Sequence, residues 1–395
     1  MINKNGNELH HFRNEQVVLY KRGNYYQARL KLPNGKWYRI STKTTDLKKA
    51  EILACEQYDD VKFREKHKMA LLTKKFVSVA KVTIDNLQTQ LDSGYGKKTY
   101  KHYIGAIERY LIPFFGRFNI DTIDYKKLKN FDEWRIKQIS RVPKKSTINN
   151  HNSALKKVFS VALKNNWISE YRIPDLKNTG IKAERRASFT KDEYEELYKF
   201  MRKWCLTGIK EKTRQIRILL RDYVLILANT GMRHGTEATR LKWNNIEQFE
   251  LKGQIYFRFY VNGKTGQREL IPSTATEKYL KRIQGRFEDL KNLSWTELFK
   301  VNKNVFRLEN GDTVKDWHGA FEILLRDADL LYNKHGKKRS LYSLRHTYAT
   351  FRLMKGVDIH LLAKQMGTSV GMIEKHYSHL IPSLSADKLV SMKKH

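Results

Sequence analysis

Apolar and polar positions alternate along residues 17–42 and then change to helical spacing. VVLY (17–20), YYQARLKL (25–32) and KWYRIST (36–42) are short β-rich runs, separated by the turn sequences KRGN and PNG. From residue 47 the pattern is helical, with Leu47, Ala50, Leu53 and Ala54 on one side and Asp46 placed to cap the helix. The expected unit, residues 1–75, is a small three-stranded sheet carrying one helix. Its Arg29, Lys31, Lys36, Trp37 and Arg39 could lie along one sheet face and enter a DNA groove, or simply form a solvated edge.

Residues 78–178 read as helices. Tyr100, Tyr103, Ile104, Ile107 and Leu111 recur at helical spacing, and Pro113 and Gly116 are expected to stop that helix. A second helix carries Leu128, Phe131 and Ile136, and a third carries Ile148, Leu155, Phe159 and Leu163. Before the third lies the basic turn VPKKST, with Lys144, Lys145, Ser146 and Thr147 at a helix start. A helix N-terminus beside two lysines suits a phosphate, although capping by Ser146 accounts for the serine equally well.

IPDLKNTGIKAERRA (173–187) has no apolar period and reads as a basic linker. A new segment, 185–395, opens with Thr190 and Glu193 as a capping box. RQIRILLRDYVLILANTG follows as a buried helix, with Ile216, Leu219, Leu220, Tyr223 and Leu227 on one face and Gly231 as its stop. IYFRFYV, Asn-Gly and KTGQRELIP predict a hairpin with Lys264 at or beside the turn. LYSLRHTYATFRLMKG predicts a helix capped by Ser343, packing through Leu344, Tyr348 and Phe351 and ending at Gly356. The fold class is therefore α+β, mainly helical. A small N-terminal sheet, a helical middle and a mixed C-terminal part with a small antiparallel sheet follow one another.

Charge narrows the function. The chain has 395 residues, with 77 Lys+Arg against 41 Asp+Glu, a net charge of +36. This excess implies a polyanionic partner, though charge alone does not separate DNA from RNA. Hydrophobic content of 40% supports packed cores rather than a basic disordered tail. Cys55 and Cys205 are the only cysteines, which excludes a disulfide framework and fits a reducing compartment. The N-terminus has no apolar signal region, and VLILA (224–228) is far too short to span a membrane, so no membrane is expected. No metal-ligand cluster or nucleotide-binding glycine loop is evident, and no cofactor is expected.

Four residues in order carry the candidate chemistry: Arg233 in TGMRHGTEATRL, Lys264 in the hairpin, Arg345 in LYSLRHTYAT and Tyr377 in MGTSVGMIEKHYSHL. Arginine grips two phosphate oxygens at once. Lysine can protonate a leaving oxygen, and tyrosine can attack phosphorus and hold it covalently. Polar flanks (Lys375, His376, Ser378, His379) argue against deep burial of Tyr377.

Order and local context resemble the tyrosine recombinase (phage integrase) family. The resemblance implies an arm-binding domain over 1–75, a core-binding domain over 78–178 and a catalytic domain over 185–395. It implies that Tyr377 forms a 3′-phosphotyrosine, that Arg233 and Arg345 stabilise the phosphate charge, and that Lys264 protonates the 5′ oxygen. Three positions depart from the pattern. Tyr342 fills the first histidine position of His-x-x-Arg, and Thr368, nine residues before Tyr377, fills the second. Position 236, where an acidic residue is usual, is Thr, with Glu237 one further on, so the acidic partner of Arg233 is left open. His346 and His335 are alternatives as bases, read as structural or exposed. The implied setting is bacterial, cytoplasmic and nucleoid-associated. Four protomers would assemble on double-stranded attachment sites, with an excisionase and a host DNA-bending protein as further partners. The activity would be integration or excision of a prophage or genomic island. SLSADKLVSMKKH (383–395) would be exchanged between protomers. A type IB-like topoisomerase and a catalytically weakened DNA-binding or architectural protein are the competing readings.

Overall fold

A computed structural model describes residues 8–182, 186–208, 210–263 and 266–377. The chain divides between Ala183 and Glu184 into two compact units.

The first unit opens with a four-stranded antiparallel sheet, not the three strands expected: β1 Leu9–Phe12, β2 Val17–Arg22, β3 Tyr25–Lys31 and β4 Trp37–Ser41, in that order. The added strand, LHHF, has no clean alternation, and Arg13, Asn14 and Glu15 turn the chain with positive φ although none is glycine. One sheet face, with Val17, Leu19, Ala28 and Leu30, packs on Ala50, Ala54 and Tyr58 of α1 Leu47–Lys66. Asp46 caps α1 by accepting from the Lys49 N–H at 2.9 Å. Leu53, expected on the packed side, is 42% exposed, because the buried stripe runs through Ala50, Ala54, Tyr58 and Val61 instead.

Helices α2 Phe76–Asp92, α3 Tyr100–Ala106, α4 Ile112–Phe115, α5 Tyr125–Ile139 and α6 Lys145–Lys164 complete this unit. α2 adds to the three helices read from the sequence. Pro113 does not stop its helix. A π-turn at Ile107–Leu111 joins α3 to α4, the Ile112 N–H reaching back to Ile107 O, and the widened turn accommodates the proline's missing donor. The helix ends at Gly116, as expected. Ile136 and Leu163, expected in the core, are each 37% exposed, while Phe131, Ile148, Leu155 and Phe159 are buried. α1 is tied to the helical part through Arg64, whose guanidinium donates to Asp60 and to Asp121, whose side chain is 5% exposed. The stretch 173–182 is held rather than free: the Lys145 N–H donates to Ile181 O at 2.8 Å, and Asn178 Nδ2 to Lys145 O at 2.9 Å.

The second unit begins with α7 Lys191–Trp204, started by the Thr190–Glu193 capping box. α8 Glu211–Thr230 is its central helix; Leu219, Leu220, Tyr223 and Leu227 are buried in the main core. A three-stranded antiparallel sheet follows, β5 Ile246–Leu251, β6 Gln254–Gly263 and β7 Gly266–Leu270. Then come α9 Thr276–Gln284, α10 Trp295–Leu298, α11 Trp317–Asp327, α12 Leu341–Met354, α13 Ile359–Met366 and α14 Val370–Tyr377. A second cluster joins Tyr348 and Leu353 of α12 with Leu362 and Met366 of α13 and Ile373 and Tyr377 of α14. Among the described residues, no helix is long and apolar enough to cross a membrane.

Candidate active site

Three local structures hold the arginines. Gly231 ends α8 with φ +67, in the left-handed region where glycine is favoured. A Cβ there would also meet the Tyr348 ring at 2.5 Å, so α8 and α12 touch at this point only because the residue is glycine. The next turn presents Arg233. Its main-chain N–H and its Nη1 donate to the two oxygens of Glu237, at 2.8 and 2.5 Å, and its Nη2 donates to Gly367 O.

Arg345 sits on α12 and is only 4% exposed. It donates from Nη1 to Gly231 O at 2.5 Å and from Nη2 to Met366 O at 2.7 Å. Burial, and then the nearby Arg233 charge, push its guanidinium down to about 10, so it is still charged at neutral pH. α12 starts at Ser340, whose N–H donates to Ser343 Oγ at 3.0 Å. The expected cap, Ser343, is therefore fully buried inside the first turn.

The acidic partner left open by the sequence is Glu237. It is 2% exposed and takes Arg268 Nη2 at 2.8 Å as well as Arg233. Burial works against its charge, but Arg268 and the Arg233 main chain and side chain outweigh that and hold the carboxyl below the usual carboxylate range. Arg268 also donates to Gln365 O and lies against Gly367, where a Cβ would meet it at 2.5 Å. The sequence offered Glu237 only as a residue one position past the usual acidic place, and Arg268 was missed altogether. Arg268 lies opposite Val261 in the β6–β7 pairing, a relationship no local motif reveals.

That pairing also corrects the hairpin. β6 and β7 stay paired through Gly263↔Gly266, so Asn262 and Gly263 belong to the strand and not to the turn. Lys264 lies outside the described residues, as does 383–395.

Tyr377 ends α14 and is 3% exposed, packed in the cluster with Tyr348, Met366 and Ile373. The polar flanks misled: Lys375 is exposed and His376 half-buried, yet the Tyr377 ring packs inward. His346 Nδ1 lies 2.6 Å from Tyr377 Oη. His346 is 5% exposed, and helical spacing puts it on the face shared with Tyr342, a signal present in the sequence. His335, by contrast, is exposed. Tyr342 is 41% exposed, with its ring 5.1 Å from that of His346. Thr368 follows Gly367 and donates its N–H to Ala363 O at 3.0 Å.

In the first unit, register places Arg29 opposite Arg39 and Lys31 opposite Trp37, all on the sheet face away from α1. Arg29 lies over the Trp37 ring at 5.0 Å, and Lys36 is in the exposed turn. Lys144, not Ser146, occupies the N-cap position of α6; Lys144, Lys145 and Ser146 are exposed and Thr147 is half-buried.

Residues 187–383 match the Phage integrase family and residues 75–181 match the Phage integrase SAM-like domain. The chain belongs to the phage integrase family, the tyrosine recombinases. Its fold is similar to that of XerH site-specific recombinase in a post-cleavage complex with palindromic difH substrate, at 17% identity over 86% of this chain and 89% of that one, with a TM-score of 0.55. It is similar also to the Tn1549 transposon integrase in complex with a circular intermediate DNA, at 18% identity over 79% and 99%, with a TM-score of 0.55. A lambda integrase dimer bound to a COC' core site aligns at 15% identity over 95% of both chains, with a TM-score of 0.51. At these identities the likeness is one of fold. Comparison with curated proteins gives no match.

Proposed function

We propose that this chain is a site-specific DNA recombinase of the integrase type, which cuts and rejoins double-stranded DNA through a 3′-phosphotyrosine at Tyr377. The observation that carries this reading is the grip of two arginines on consecutive carbonyls. Arg345 holds Met366 O and Arg233 holds Gly367 O, so both guanidinium groups converge at the segment that leads to Tyr377. Two cations fixed in advance at the segment that leads to the proposed nucleophile suit the extra charge of a five-coordinate phosphorane. Lys264 is assigned the proton for the 5′ oxygen, and Tyr342 and Thr368 one neutral hydrogen bond each to phosphate oxygens.

In the same reading, residues 1–75 bind outer sites through the Arg29, Lys31, Trp37 and Arg39 face with Lys36 at its edge. Residues 78–178 bind the core site with Lys144, Lys145, Ser146 and Thr147 at a phosphate. Residues 185–395 perform the chemistry. Homotetramer assembly on two attachment sites, help from an excisionase and a host bending protein, and action in the bacterial cytoplasm on a mobile element complete it. The test uses nicked duplexes tiled across the DNA flanking the coding segment. A covalent protein–DNA adduct that maps to Tyr377, followed by strand joining between two duplexes, is expected. Adduct without joining would favour a plain topoisomerase, and tight binding with no adduct on any duplex would favour an architectural protein.

A further inference from the structure

The two positions at which this family would carry a histidine hold Tyr342 and Thr368, and neither side chain is a base at neutral pH. A different imidazole reaches the nucleophile. His346 Nδ1 and Tyr377 Oη are 2.6 Å apart, and both side chains are buried. Among the described residues, titratable or charged groups near His346 include Tyr342 and its chain neighbour Arg345 from α12, and His376 and Tyr377 from α14, with ring centres of His346 and His376 5.7 Å apart.

We infer that His346 is the proton acceptor for Tyr377, taking over in this chain the part that the replaced histidines leave unfilled. The inference rests on the recombinase reading above. In the resting site the Tyr377 hydroxyl donates to Nδ1, so the imidazole carries its proton on Nε2. On attack the Oη–P bond forms as the P–O5′ bond breaks. The phenolic proton moves to Nδ1, giving an imidazolium, and the departing 5′ oxygen takes one proton from a separate donor, assigned above to Lys264. Ligation runs the same transfers backwards, so no proton is gained or lost over the cycle. The distance is within hydrogen-bond reach for a general base, and such groups contribute roughly 10²–10⁴-fold to rate. Burial of the pair keeps water from competing for the phenol.

The experiment measures single-turnover adduct formation against pH, on the nicked duplex that the wild-type chain cleaves, for the wild type, His346→Ala and His346→Asn. Asparagine places an amide near the Nδ1 position, so it can hold the phenol but cannot take its proton. Both variants should bind the duplex normally and form adduct on the order of 10²-fold more slowly at neutral pH. Both should recover as pH rises and the phenol ionises unaided. Wild-type rates in either variant, full rescue by asparagine, or a loss that stays constant with pH would overturn the assignment. A readout without DNA keeps it separable from the recombinase reading. With ¹³C-labelled histidine, Tyr377→Phe should raise the His346 pKa, because a hydrogen bond to the neutral imidazole is lost. If the wild type forms no adduct on any duplex, the recombinase reading falls. An unchanged His346 titration in the Phe variant then overturns the pairing as well.

Discussion

Arg268 on β7 donates to the same Glu237 carboxylate that holds Arg233, at 2.8 Å. The buried carboxylate thereby connects the hairpin strand to the turn after α8, and Arg268 continues the link to Gln365 at the end of α13. Removing one partner of such a buried network leaves the others uncompensated. Glu237→Ala is expected to destabilise the chain by about 3–5 kcal/mol, read as a lower urea midpoint with unchanged slope. Arg268→Ala should slow adduct formation even where binding survives, since Arg233 and Gly367 lose a common support.

The two arginines proposed to grip the phosphate should not tolerate lysine. Arg345 donates through both terminal nitrogens to carbonyls 231 and 366, a forked contact that a single ammonium cannot reproduce. Arg233→Lys and Arg345→Lys are each expected to slow single-turnover cleavage on the order of 10²–10³-fold, with duplex affinity little changed. Normal cleavage by either variant would remove that residue from the site.

Tyr377→Phe should preserve fold and DNA affinity, losing one hydrogen bond worth roughly 0.5–1.5 kcal/mol. Adduct should vanish altogether. Peptide mapping of the wild-type adduct checks the assignment, and an adduct at Tyr342 or Tyr348 would refute it.

The α1 helix should matter for the stability of the helical segment behind it. Arg64 is 2% exposed, and Asp121, which it pairs, has a side chain 5% exposed that also accepts from Thr73 at 2.8 Å. Deleting residues 1–75 removes both donors and, among the described residues, leaves Arg172, 3.8 Å away. The truncated chain is expected to lose several kcal/mol of stability, and Asp121→Asn should restore part of it by removing the buried charge. A truncation as stable as the full chain would show that the ion pair contributes nothing.

His151 supplies a pH test. It is buried against Tyr110, and burial, then Arg135, push its imidazole down to about 4. The folded pKa lies below the ordinary value near 6.5, so the unfolded chain takes up the proton first. The stabilisation is full above about 6.5 and is lost as pH falls toward 4. A loss of roughly 1–3 kcal/mol across that window is expected, and His151→Phe should flatten the slope in urea titrations of stability.

Periodicity and punctuation carried most of the local structure. Asp46 and Thr190 cap the helices they were expected to cap, and Gly231 ends α8, because these signals depend on residues within one turn of each other. Misreadings arose where local signals competed. Asn262-Gly263 looked like the turn, yet the strands continue to pair past it, and Ser343 looked like a cap although Ser340 lies three residues earlier. The order of Arg233, Arg345 and Tyr377 was legible from motifs alone, and so was the family.

What the sequence could not contain was the set of partners. Glu237 with Arg268, Arg345 with Met366 and His346 with Tyr377 are pairs separated by 31, 21 and 31 residues. Each forms only when α8, the hairpin and α12–α14 pack together. Linear spacing determines which face of a helix or strand a side chain occupies. Which residue from another element meets it across that face is decided by tertiary packing, because burial makes an unpaired charge or hydroxyl too costly to leave alone.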